Sequence, residues 1–116
     1  MRLLGVHQGL VHAPLPQVRD LVLSTAFSAS ATPLRVRKDA AQGWIEARGQ
    51  WWWCGRVEVH EHAAGARVVY RIYNVATGLA GRLVPVTVAR GHRGPDPLRA
   101  LLAELGERLG CRTELL

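Results

Sequence analysis

Residues 55–74, GRVEVHEHAAGARVVYRIYN, hold two runs rich in β-branched and aromatic residues on either side of Ala63-Ala-Gly-Ala66. Such runs favour extended backbone, and the glycine supplies a turn conformation that other residues resist. The pattern predicts a β-hairpin, with a long strand over Trp51 to His62 and a return strand over Arg67 to Asn74. Alternation then assigns the faces. On the long strand Trp52, Arg56, Glu58, His60 and His62 share the parity expected to face water, while Trp51, Trp53, Val57 and Val59 share the parity expected to face the core. On the return strand Val68, Tyr70, Ile72 and Asn74 point one way, and Arg67, Arg71 and Tyr73 the other.

Toward the N-terminus, Trp44 to Arg48 and Leu34 to Lys38 read as two further strands, with turns at Asp39 to Gly43 and at Gly49-Gln50. Residues 3–12 read as a first strand, with Leu4, Val6, Gln8 and Leu10 on one face. Pro14-Leu-Pro16 suits the first turn of a helix, which Val18, Leu21 and Val22 carry to about Ser24. Ser24 to Pro33 is expected to be a loop or a short second helix. Toward the C-terminus, Val84-Pro-Val-Thr-Val88 has strand propensity, whereas Leu79, Leu83, Val86 and Arg90 have helical spacing. Pro85 opposes both a central strand and an unkinked helix, so residues 75–94 are expected to be irregular or helical. Beyond them Asp96 can cap a helix with Pro97 in its first turn. Leu98, Leu101, Leu102, Leu105 and Leu109 form its apolar face, and Gly110 ends it. Residues 1–116 thus predict one α+β domain, a curved antiparallel sheet against a C-terminal helix.

Composition narrows the function classes. A chain of 116 residues that is 48% apolar supports one packed core. No run approaches the roughly 18 apolar residues of a membrane span. His7, Gln8 and His12 interrupt the first apolar run, so no signal peptide is expected and the expected location is the cytoplasm. Cys54 and Cys111 lie far apart in sequence and are expected to be free thiols. The net charge of +6 comes from fourteen Arg and one Lys against nine acids, scattered except for Arg35, Arg37 and Lys38. Without a basic block, nucleic acid is not an expected partner.

Glu58-x-His60-x-His62 has a spacing that zinc can use, with His7, His12 or His92 as further donors. It lies on the water-facing parity and no spacing fixes a further ligand, so a solvated polar face is expected and no metal. His7, Glu46, Glu61 and Tyr70 are candidates for acid–base work. Glu61 shares the core-facing parity, where burial would raise its pKa, but a carboxylate at a hairpin end is normally solvated. The sequence has no nucleophile elbow, phosphate-binding glycine loop or HExxH motif, and Gly78 and Gly81 follow no strand in the manner of a dinucleotide site. No cofactor is expected, and no residue is assigned as catalytic.

The order of strand, short helix, antiparallel meander and terminal amphipathic helix resembles the START-like superfamily, the helix-grip fold of polyketide cyclases, lipid-transfer domains and plant pathogenesis-related allergens. The likeness is carried by VHQGLVHAPLPQVRDLVLS (residues 6–24), by the 55–74 hairpin, and by PDPLRALLAELGERLG (residues 95–110). Fewer strands are legible here than that family usually carries, which bears on the size of any enclosed space. The resemblance implies a cavity between sheet and terminal helix that binds a small apolar or aromatic ligand, with Trp51, Trp53, Tyr70, Asn74 and His7 near it. It also implies an alternative, a cyclase- or aromatase-like enzyme in which a polar pair such as His7 and Asn74 orients a polyketide. A third reading is a basic module whose arginine-rich exterior binds an acidic partner. Trp52, expected to be exposed, would offer a surface for a homodimer.

Overall fold

The hairpin forms where the alternation is strongest and sits near the middle of a six-stranded sheet. The structure, a computed structural model, describes residues 1–28, 34–87, 89 and 91–116. Strands β1 (Arg2–Val11), β2 (Arg35–Asp39), β3 (Trp44–Gly49), β4 (Trp53–His62), β5 (Gly65–Asn74) and β6 (Thr113–Leu115) pair antiparallel in the order β2-β3-β4-β5-β1-β6. Helices α1 (Leu15–Thr25), α2 (Gly78–Leu83) and α3 (Asp96–Leu109) complete an α+β architecture, with α3 close to the C-terminus. The hairpin turn needs its glycine. Gly65 has φ 134°, and a Cβ there would stand 2.7 Å from the backbone oxygen of Val11.

Residues paired across antiparallel strands share a face, and the register lines up His7, Tyr70, Val57 and Ile45. That face is covered by helices. α1 packs on β3, β4 and β5, and α3 on β1 and β6. Between sheet and helices lie Ile45, Val57, Val59, Val68 and Ile72 of the sheet, Val18 and Val22 of α1, and Leu98, Leu102 and Leu105 of α3, all buried. The helix faces are those that the leucine and valine spacing predicts. Among the described residues, no helix is long and apolar enough to cross a membrane.

Several expectations need correction. Trp51 and Trp52 belong to a turn, and β4 starts at Trp53. Gly49 pairs with Trp53, so the loop is Gln50-Trp51-Trp52, opened by Gln50 at φ 56°. Strand parity does not extend into a loop, and the two side chains change places. Trp51 is 54% exposed, whereas Trp52 is 1% exposed and meets the His92 ring edge-on at 5.9 Å. A bulge between Leu3 and Gly5 turns Leu4 into the core, so it does not share the face of Val6, Gln8 and Leu10.

Strand β6 had no sequence signal, because three residues are too few to show alternation. It is added to the edge of β1, with His12 N–H donating to Arg112 O and Leu116 N–H to Gln8 O. Asp96 is the first helical residue of α3 and bonds Arg99; it does not cap the helix. Gly110 ends α3 in the left-handed conformation, as expected. Residues 75–94 hold α2 and a short 3₁₀ turn, Val84–Val86, consistent with the expected irregular or helical segment. The expectations for residues 29–33, Val88 and Arg90 lie outside the described residues.

Candidate functional site

The sheet and α3 do not close on each other completely. A hollow remains between β3, β4 and β5 on one side and the ends of α1 and α3 on the other, in two compartments that share Leu34, Trp53, Tyr70 and Pro97. The more apolar compartment, about 410 Å³, is bounded by Ala26, Phe27, Val57, Leu98 and Leu101, with Thr25 and Glu104 at its edge. The other, about 330 Å³, is bounded by Gln50, His92, Asp96 and the glycines at 49, 91 and 94. These volumes fall in the range of small-ligand sites.

The wall is set by small residues next to large ones. Gly55 stands opposite Ala47 and Ile72, and the Trp53 indole lies across the gap that its missing side chain leaves. A Cβ at Gly55 would stand 2.6 Å from Trp53 Cζ2. Phe27, at φ 65°, turns its ring edge-on to Trp53, with centroids 6.0 Å apart. Tyr70 lines both compartments and is buried. Burial pushes its phenol up to about 12, with a smaller contribution from Cys54, so the ring carries a neutral hydroxyl. No hydrogen bond joins that hydroxyl to another of the described residues.

Of the five residues placed near a cavity from sequence, Trp53 and Tyr70 line it. Trp51 points to solvent for the reason given above. Asn74 is buried, but its amide is used locally: Nδ2 donates to Gly81 O at 2.7 Å, and Oδ1 accepts from Ala76 N–H at 3.0 Å. It fastens the chain entering α2. His7 shares the face of Tyr70, yet its Nε2 is 2.7 Å from Arg93 O, while the Arg93 guanidinium donates to Leu4 O. His7 therefore belongs to a clasp between β1 and the segment before α3. Sequence reasoning missed Phe27, Gln50 and His92. Leu98 and Leu101 were legible as the apolar face of α3, but Gln50 and His92 sit in loops whose approach no local pattern reports.

The other face of the sheet is ionic. Glu58 accepts from Arg56 Nε at 3.0 Å and from Arg71 Nη1 at 3.3 Å, and it pairs with His60 Nε2 at 3.0 Å. Arg56 also lies 4.3 Å over the Trp44 ring. The Glu58-x-His60-x-His62 run is thus split. Two members join a half-buried ion-pair cluster, and His62 accepts from the Ala64 N–H. Among the described residues no group of three or more His, Cys, Asp or Glu is arranged to hold a metal. Glu61 is exposed.

Glu46 is buried beside Cys54, whose Sγ donates to Glu46 Oε1 at 3.2 Å. Burial first, and the Glu46 contact second, push the Cys54 thiol up to about 12, so it is protonated and a poor nucleophile. Cys54 and Cys111 are both free thiols, the second half-buried.

Compared with protein-family models, with curated proteins and with solved structures, the chain matches none.

Proposed function

We propose that this chain is a helix-grip type of binding domain that holds a small apolar or aromatic ligand in the hollow between sheet and α3. The observation that carries this reading is the apolar compartment of about 410 Å³ walled by Trp53, Tyr70 and Phe27 and bounded by Leu98 and Leu101 of α3. The sheet order supports it too, because β1 pairs with the last strand of the meander and α3 packs across β1. Aromatic walls suit a flat ligand. The neutral Tyr70 hydroxyl offers one hydrogen bond, and Glu104 and Asp96 at the edges disfavour an anionic ligand. The enzymatic alternative loses its polar pair, since His7 and Asn74 are held by Arg93 O and Gly81 O.

Native mass spectrometry of the gently purified chain, compared with its denatured mass, tests the reading. The expected result is an additional mass that dissociates on denaturation and is lost in Ala100→Trp, which fills the compartment from the exposed side of α3. Circular dichroism of that variant should match the parent. A bare native chain whose tryptophan emission is not quenched by 1-naphthol overturns the proposal, as does an adduct that survives Ala100→Trp.

A further inference from the structure

Exposed large hydrophobic residues are normal when scattered, and informative when they gather. Here they gather at the end of the sheet where β1 begins, β3 turns into β4, and β5 leads into α2. Six of the nine found among the described residues belong to these segments: Met1, Leu3, Trp51, Leu79, Leu83 and Val86. The segments are tied together. Val75 N–H donates to Trp52 O, Asn74 binds Gly81 O, and Arg2 pairs with Asn74. Leu79 and Leu83 stand four residues apart on α2, so they share a face, and Val86 follows in the 3₁₀ turn. Leu79 is 73% exposed and Val86 64%, values that folding does not explain.

The exposed charge on the segments around this apolar group is basic. Between Glu61 and Asp96 the chain contains no acidic residue. Arg82 is exposed on α2 and Arg93 on the segment clasped to β1 at Leu4 O, and the register brings Arg2, Arg35 and the half-buried Arg48 to the same end of β1, β2 and β3. The carboxylates nearest to the apolar group are withdrawn from the surface or paired: Glu46, beside Arg35 and Arg48, is buried, and Asp96 is bonded to Arg99.

We propose that this end of the molecule docks reversibly on an anionic lipid bilayer, with Trp51, Leu79, Leu83 and Val86 in the headgroup boundary and the arginines against lipid phosphates and carboxylates. An exposed indole flanked by leucines and arginines matches the interfacial zone, where aromatic side chains settle and each basic residue adds attraction. A second copy of the chain fits less well, because a symmetric contact would oppose the same arginines. The docking reading is independent of the ligand proposal, and its test requires no ligand.

The test is sedimentation of the full chain with phosphatidylcholine vesicles and with vesicles containing phosphatidylserine. Binding is expected to the anionic vesicles, with little to the neutral ones, and it should weaken as salt screens the arginines. Trp51→Ser and Leu79→Ser should each weaken it about tenfold, the effect of withdrawing one large apolar side chain from the interface. Both positions are exposed, so the fold should persist, and circular dichroism checks this. Ala100→Trp should bind vesicles like the parent, which separates docking from occupancy of the hollow. Equal sedimentation with both vesicle types overturns the proposal, as does unchanged binding by the double variant that combines Trp51→Ser with Leu79→Ser. A dimer that forms without vesicles and is lost in the double variant overturns it as well, and assigns the face to a second copy.

Discussion

At one end of the sheet β4 turns into β5 through Ala63 and Ala64, and β6 joins β1 by backbone hydrogen bonds beside His12 and Gln8. At the other end β3 turns into β4 through three residues, two of them tryptophans, and β5 runs out into the short α2. The first end meets the obligations of its backbone with local pairing. The second leaves the Trp52 Nε1–H buried with no partner among the described residues, and its surface is apolar. Backbone pairing and a glycine turn hold one end; at the other, burial of the Trp52 ring adds to the hydrogen bonds of Val75 and Asn74. Substitutions at the two ends should therefore fail in different ways.

The largest effect belongs to the second end. Trp52→Ala empties a fully buried site and is expected to cost about 4 kcal/mol of stability, whereas Trp51→Ala should change it by less than about 0.5 kcal/mol. Urea unfolding of the two variants checks the contrast between neighbouring residues, and equal costs would break it. Next comes the first end, where Gly65→Ala combines a positive φ with a Cβ 2.7 Å from Val11 O. A loss of about 3 kcal/mol is expected, measured by the same unfolding curve.

The middle of the sheet supplies a pH dependence. Cys54 and Tyr70 both rise to about 12 in the folded chain, from ordinary values of 9.0 and 10.0. Below pH 9 both states hold these protons and the full stability is present. As pH rises from there toward 12, the unfolded chain releases protons that the folded chain keeps, so stability falls. Urea midpoints measured from pH 8 to 12 should decline over that window, and Cys54→Ala should make the decline shallower.

The smallest effect concerns β6. A hydrogen bond from His12 at 2.9 Å, with Arg112 nearby, holds the Glu114 carboxyl below its ordinary value. The contribution of this pair is present above the ordinary carboxylate range and is lost as pH falls through the lowered value. Glu114 is half-buried on a three-residue edge strand, so the expected change is local. Glu114→Gln should speed amide exchange at His12 and Leu116 while the global unfolding midpoint stays where it is.

The architecture was legible wherever a periodic pattern ran for several residues. The Val57, Val59, Val68 and Ile72 alternation marked the central hairpin, and the leucines of α3 marked its buried face. The α+β class, five of the strands and the pairing of Trp53 with Tyr70 on one face followed from those patterns. What failed was decided at strand ends. A loop one residue longer than the Gly49-Gln50 turn exchanges Trp51 with Trp52, and no periodicity records loop length. Asn74 was assigned to the right face and His7 was expected near a cavity, but their partners Gly81 and Arg93 lie in segments without a repeating pattern. Strand β6 is visible only through its pairing with β1.

The two thiols differ in a way that is useful at the bench. Cys54 is sealed in the sheet and protonated well beyond neutral pH, while Cys111 is half-buried just after α3, at the end of the sheet opposite Trp51. A maleimide added to the folded chain should therefore mark Cys111 alone. That gives a single attachment point for a fluorescent reporter, distant from both the hollow and the arginine-rich tip, with no engineering of the sequence.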